Sequence, residues 1–296
     1  MAHILGMGIA TLDIINTVDG YPVEDSEVRA LSQCLCRGGN ATNTLVVLSQ
    51  LGHACAWAGV LANEPDSRLI REDLARYAID ISPCRIEPHG KVPTSYITLN
   101  QQNGSRTIVH YRDLPEYRFE DFARIDLGPY QWLHFEGRAV EETAGMIALA
   151  KERRPDLPIS LEVEKDRPGL DKLFGGVDVL LFSRAYALRQ GYADARSFLQ
   201  HIRNGIPATI VCSWGGQGAY AMNEKDEFLH SPAHQPLQLI DTIGAGDTFN
   251  AGFISARLAG KPVREALQFA CYIAGVKCGQ RGFAGLTVAA AQTPVR

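Results

Sequence analysis

From about residue 130 the chain repeats one pattern: a short apolar run, then a stretch long enough for a helix, then another apolar run. The runs are Trp132–Phe135, Ile159–Val163, Val177–Phe182 and Thr209–Cys212. Short runs without polar alternation read as strands buried on both faces, and parallel neighbours need a crossover to join them. The pattern therefore restricts the chain to an α/β fold, a doubly wound and mostly parallel sheet with helices on both sides. The N-terminal part fits the same scheme. Residues 4–9 and 54–60 read as strands, while Leu45, Val46, Leu48 and Leu51 follow Asn40 at helical spacing and end at Gly52. Residues 66–77 place Leu69, Ile70, Leu74 and Tyr77 on one helical face. Gly218–Met222 starts an antiparallel hairpin. Two helices follow, one from the Gly244-Ala245-Gly246-Asp247 turn and one from near Pro262 to about Gly279.

Two stretches interrupt this pattern. Residues 11–36 alternate weakly and carry Asp13, Asp19, Glu24, Asp25 and Glu27. Within residues 92–112, Thr94–Leu99 and Arg106–Tyr111 flank Asn103-Gly104, a strong hairpin signal. The economical reading brings both stretches together as one small sheet. The expected division is a large α/β unit of residues 1–10, 37–91 and 113–296, with a small β unit of residues 11–36 and 92–112.

Composition narrows the function. Lys plus Arg is 29 and Asp plus Glu is 33, a net charge of −4, which excludes a protein held on nucleic acid by a broad basic surface. No apolar run reaches the ~18 residues of a membrane span, and the N-terminus has no basic region before an apolar core, so no secretory signal is expected. The seven cysteines at 34, 36, 55, 84, 212, 271 and 278 are an odd number, mostly in apolar runs. They read as reduced core residues of a cytoplasmic protein, and Cys34-x-Cys36 lacks the second pair that a zinc site requires.

Three motifs carry chemistry. In Asp241-Thr242-Ile243-Gly244-Ala245-Gly246-Asp247, a glycine turn opens onto an apolar helix, so uncovered N–H groups and the helix dipole both favour an anion. Asp247 at that helix start is either a cap or the acceptor of a proton from a hydroxyl that attacks a phosphoryl group. In Arg37-Gly38-Gly39-Asn40-Ala41-Thr42-Asn43, paired glycines allow close backbone approach. Asn40 and Asn43 share one side of the first turn, and their amides suit a polyhydroxyl ligand. Asn40 also reads as an N-cap, and Asp13 as either a turn residue or a hydroxyl acceptor. Gly215-Gly216-Gln217-Gly218 follows the strand ending at Cys212, where α/β sheets place ligands, although an ordinary glycine turn reads the same way. A P-loop, a dinucleotide fingerprint, H-E-x-x-H and G-x-S-x-G are all absent from the sequence.

Gly38-Gly39-Asn40 with Asn43, together with Asp241-Thr242-x-Gly244-Ala245-Gly246-Asp247, resemble the PfkB (ribokinase-like) sugar kinases over nearly the whole chain. Stretches such as Gly104-Ser105-Arg106-Thr107-Ile108, His134-Phe135-Glu136-Gly137-Arg138, Glu162-Val163-Glu164-Lys165 and Lys277-Cys278-Gly279 resemble the branch that phosphorylates fructose at C1. The resemblance implies a ribokinase-like fold with a β-clasp lid and ATP-dependent phosphoryl transfer. By it, Asp247 is the catalytic base and Gly244, Ala245 and Gly246 form the anion hole. Asp13, Gly39, Asn40, Asn43 and Asp247 hold the sugar. Arg106, Gly215, Gly216, Gln217 and Gly218 border ATP along with the anion hole. Asp241 and Ile243 give oxygen ligands to a monovalent cation, K⁺, and Mg²⁺ arrives with ATP. The clasps of a homodimer pair, with Asp25 or Glu27 near the neighbouring site.

The chain departs from the family pattern in two places. Ser183-Arg184-Ala185-Tyr186 stands where most members carry N-x-x-E, which leaves Glu162 and Glu164 as candidates to organise Mg²⁺. Ser231-Pro232-Ala233-His234-Gln235-Pro236 lacks the branch's proline run, so no adenine contacts carry over. Two other readings stand beside the fructose kinase: a kinase of the same fold acting on ribose, a sulfonated sugar or a nucleoside, and a non-catalytic sugar- or nucleotide-binding regulator, which the presence of Asp247 disfavours.

Overall fold

The computed structural model describes residues 1–286. The strands of the first half are β1 (His3–Met7), β2 (Thr11–Val18), β3 (Ser32–Gly38), β4 (Ala54–Ala58), β5 (Val60–Ala62), β6 (Arg85–Glu87), β7 (Thr94–Asn100) and β8 (Arg106–Tyr111). Then come β9 (Trp132–Glu136), β10 (Ile159–Val163), β11 (Val179–Ser183), β12 (Thr209–Ser213), β13 (Ala219–Met222) and β14 (Phe228–Ser231). The helices are α1 (Asn40–Gln50), α2 (Pro65–Arg76), the single turn α3 (Phe119–Phe122), α4 (Val140–Arg153), α5 (Arg184–Arg189), α6 (Ala195–Arg203), α7 (Ala245–Leu258) and α8 (Val263–Cys278).

The large sheet has the order β14-β13-β12-β11-β10-β9-β1-β4. It is parallel from β4 to β12, and β13 and β14 add to it antiparallel. Every residue of β10 is buried, as expected of a strand covered on both faces. On one face α7 packs between α1 and α8, and Phe253, Leu45, Ile273 and Ala270 are fully buried there. The C-terminal ends of β1, β9, β10 and β12 therefore open beside the N-termini of α1 and α7, the place where open α/β sheets bind ligands.

The two interrupting stretches share one four-stranded sheet of order β3-β2-β7-β8, in which β2 and β7 run parallel. Its alternation separates two faces. Asp13, Ser95, Ile97, Arg106, Ile108 and His110 look into a cleft against the large sheet. On the opposite face the registers Leu35↔Ile14, Ile14↔Tyr96 and Tyr96↔Val109 align an apolar row across all four strands.

Several local expectations need correction. The 54–60 run is two strands: Gly59 ends β4, and β5 leaves the large sheet to pair with β6. A short 3₁₀ segment, Leu170–Gly176, stands where a full helix was expected between β10 and β11, because Gly169 enters it at φ 75° and Gly175-Gly176 ends it. Asn40 is not the N-cap of α1. Gly39 caps it at φ 104°, which frees the Asn40 amide for another partner. Only Cys55, Cys212 and Cys271 are core residues, whereas Cys34 is exposed. Among the described residues no helix is long and apolar enough to cross a membrane.

Candidate active site

The glycine turn before α7 has the geometry its sequence implies. Gly244 sits in the left-handed region at φ 76° and caps the helix, and a Cβ there would lie 2.2 Å from Phe283 Cζ, so glycine is required. Ala245 N–H donates to the Thr242 carbonyl at 3.2 Å. The next N–H groups, of Gly246 and Asp247, belong to the first turn, which has no intrahelical acceptor, and both residues line the cleft. A Cβ on Gly246 would meet nothing within 4 Å, so this turn leaves room for an anion.

Asp247 is buried at the base of the cleft, where its Oδ2 accepts the Asn43 Nδ2–H at 2.7 Å. Burial pushes its carboxyl up from 3.8 to about 7. The Asn43 hydrogen bond opposes this, the Glu164 and Glu136 carboxylates add to it, and the Arg37 cation pulls the other way. A carboxyl tuned to that range can accept a proton near neutral pH.

Asn43 cannot choose its orientation. Its Oδ1 accepts Arg37 NH1 at 2.6 Å, so only its Nδ2 can face Asp247. Arg37, itself buried, is fixed by Asp73 Oδ2 at 2.7 Å and Thr42 Oγ1 at 3.0 Å. The sequence motif therefore does two jobs. Gly38 and Gly39 let the strand pass Asp13 and Ile9, since a Cβ on either would come within 2.2 Å of Asp13 Oδ2 or the Ile9 carbonyl. Arg37 in turn sets the amide that faces Asp247.

Three more carboxylates ring Asp247. Glu164 Oε2 accepts Asn40 Nδ2 at 2.9 Å, and Glu136 is held by the Ile9 N–H and by Arg138 NH1, both at 2.9 Å. Glu162 Oε1 accepts Asn250 Nδ2 at 3.1 Å, while its buried Oε2 has no hydrogen-bond partner. Burial raises the Glu162 carboxyl well above the usual range, and Asp247, Glu164 and Glu136 reinforce that.

Asp13, Gly39, Asn40, Asn43, Asp247 and Arg106 line one cleft of about 620 Å³ between the two sheets. Gly215, Gly216 and Gly218 border a second, more apolar cleft of about 410 Å³, with His234, Pro236, Phe249 and Gly275 opposite. The two meet at Ser213, Thr242 and Gly246, so the glycine turn stands between them. Gln217 does not border either cleft; its carbonyl accepts His230 Nε2 at 3.0 Å. Asp25 and Glu27 are exposed on the loop between β2 and β3 and border neither cleft of their own chain.

Of the two expected cation ligands, Asp241 is not free. The Asp241 carbonyl and Oδ2 accept Lys277 Nζ at 2.9 and 2.7 Å. Asp241 Oδ1 accepts the Ile243 N–H at 2.9 Å. An ammonium already holds the Asp241 oxygens expected to bind K⁺, so Asp241 does not fit an added alkali cation. Reading by sequence gave no task to Arg37, Glu136 or Lys277. Arg37 and Glu136 stand beside recognised glycines, but their roles depend on partners 36 and 127 residues away.

The profile of the pfkB family of carbohydrate kinases matches residues 1–288. Ketohexokinase of Mus musculus is 40% identical over 295 residues, covering 96% of this chain and 98% of that protein. ATP-dependent ribose-1-phosphate kinase of Halopiger xanaduensis is 23% identical, over 95% of this chain and 94% of that one. Arabidopsis thaliana ribokinase, solved with ribose and ATP, superposes with a TM-score of 0.82 at 17% identity, covering 98% of this chain and 97% of its own. A buried carboxyl beside an open glycine turn, two confluent clefts and a family match along nearly the whole chain agree: the protein belongs to the pfkB family of carbohydrate kinases.

Proposed function

We propose that the protein transfers the γ-phosphoryl group of ATP to the C1 hydroxyl of fructose. The observation that carries this reading is Asp247, buried, tuned upward and held by Asn43 at the start of the helix whose glycine turn can seat a phosphate. The identity to ketohexokinase supports fructose as the acceptor. Asp13, Asn40 and Asn43 orient the sugar hydroxyls, with Gly39 allowing close approach. The Asp247 carboxylate takes the proton of the attacking hydroxyl as the new O–P bond forms. The bond from the γ-phosphorus to the β–γ bridging oxygen breaks, and ADP leaves. The backbone N–H groups of Gly244 and Gly246 stabilise charge on the transferred group, and Ala245, whose N–H is held by the Thr242 carbonyl, sets the turn between them. Arg106 reaches the phosphates from the small sheet, and the apolar second cleft takes the adenine.

Mg²⁺ bound with ATP supplies charge neutralisation on the phosphates. The unpartnered Glu162 Oε2 and the nearby Glu164 suit its water ligands. The small sheet acts as a clasp whose apolar outer row pairs with a second copy. Tyr96 and Val109 in that row are 45% and 66% exposed, too apolar a face to leave in water. In that dimer Asp25 or Glu27 approaches the partner's site. Free cysteines and ATP dependence fit the cytoplasm. The test is ADP release over a panel of ketoses, aldoses and nucleosides. Fructose should give the highest kcat/KM, and a clear preference for another sugar or nucleoside would replace the acceptor.

A further inference from the structure

Lys277 has no task in the phosphoryl-transfer reading, yet it is fully buried on α8. A buried ammonium persists only with strong acceptors. Both oxygens it uses belong to Asp241, the carbonyl at 2.9 Å and Oδ2 at 2.7 Å, and the Phe283 ring lies 5.6 Å from Nζ. A monovalent cation on the same two oxygens would stand within a few ångströms of the ammonium, and like charges that close repel strongly in a dry site.

We propose that Lys277 is a built-in monovalent cation, so that this kinase needs no K⁺. The ammonium locks Asp241, whose Oδ1 accepts the Ile243 N–H and whose Oδ2 also accepts the Gly282 N–H at 3.2 Å. Those contacts fix both chain segments that shape the anion turn. Ile243 leads directly into Gly244, and Gly282 leads into Phe283, whose ring lies where a Gly244 Cβ would be. Lys277 thus acts through Asp241 and Phe283 on the backbone donors of Gly244 and Gly246, and is a positioning residue. The consequence for turnover rests on the kinase reading; the exclusion of K⁺ does not.

The experiment uses the full chain, prepared free of K⁺ and NH₄⁺, with melting temperature and ADP release measured in NaCl and in KCl at equal ionic strength. Wild type should melt at the same temperature and turn over at the same rate in both salts. Lys277→Ala should melt lower and lose at least about tenfold in turnover. K⁺ or NH₄⁺ should restore much of both, and Na⁺ should not. Lys277→Arg, which keeps the charge, should show no preference between the salts. A wild type that gains melting temperature or turnover in K⁺ over Na⁺ overturns the proposal, even if Lys277→Ala does not fold. A folded Lys277→Ala without ion-specific recovery overturns it as well. If no sugar is turned over, the melting comparison still decides the cation question, and only the kinase reading falls.

Discussion

Arg37→Met tests whether the chain of contacts from Asp73 through Arg37 and Asn43 sets the base. Removing the guanidinium frees Asn43 Oδ1, now held at 2.6 Å, and the amide can turn its oxygen toward Asp247. The 2.7 Å bond from Asn43 Nδ2 to Asp247 is then lost. A hydrogen bond to a charged group contributes about 1.5–3 kcal/mol, and one pKa unit is about 1.4 kcal/mol, so Asp247 should rise by about 1–2 units. Loss of the Arg37 cation acts in the same direction. The acid limb of kcat/KM, expected near the Asp247 value of about 7, should move to about 8–9. At pH 7 that lowers the ionised fraction about 5- to 50-fold, with most of the rate recovered at high pH. Asp73 also loses its partner at a 23% exposed side chain, so destabilisation should stay at or below the ~3 kcal/mol low end for a broken buried pair. The assay is a pH profile of ADP release, with circular dichroism to confirm folding. A folded variant whose acid limb stays at the wild-type position would refute the relay.

Three further outcomes are expected. Asp247 has a folded-state value raised from 3.8 to about 7, so its contribution to stability is full below 3.8 and is lost as pH rises through 7. Asp247→Asn should therefore be more stable than wild type at pH 8, by at most about 4 kcal/mol, and melt higher, with the advantage shrinking toward pH 4; equal melting at pH 8 would count against the raised value. Gly246→Ala, whose methyl enters open space, should keep its melting temperature yet lose ATP-dependent turnover, whereas Gly244→Ala should be destabilised against Phe283; calorimetry showing the reverse order would contradict the turn's geometry. Leu35→Lys with Val109→Lys should give a monomer in sedimentation velocity, and a wild type that is itself monomeric at high concentration would remove the clasp dimer.

Much of the fold was legible because it depends on local periodicity. The apolar runs marked β9 to β12, Asn103-Gly104 marked the β7–β8 hairpin, and Gly52 ended α1. The split at Gly59 was not, because a tryptophan-bearing apolar run reads as one strand until its partners are known. At the site, residues in one short motif were found together: Gly244 to Asp247, and Gly39, Asn40 and Asn43. Charge pairing was hidden because its partners are far apart in sequence. Asp241 read as a cation ligand because nothing local shows Lys277, 36 positions on, reaching its oxygens. Gln217 read as a ligand residue through its glycine neighbours, although its own carbonyl serves a strand contact with His230.

The central claim is that Asp247 takes the proton of the sugar hydroxyl during phosphoryl transfer. The most direct measurement is kcat of Asp247→Asn against wild type with ATP and fructose, with sugar affinity measured separately by calorimetry. Asparagine keeps the shape and the acceptor for Asn43 but cannot accept the proton, so kcat should fall at least about 100-fold while sugar affinity changes little. Near-wild-type turnover by the folded variant would contradict the account and leave Asp247 a helix cap.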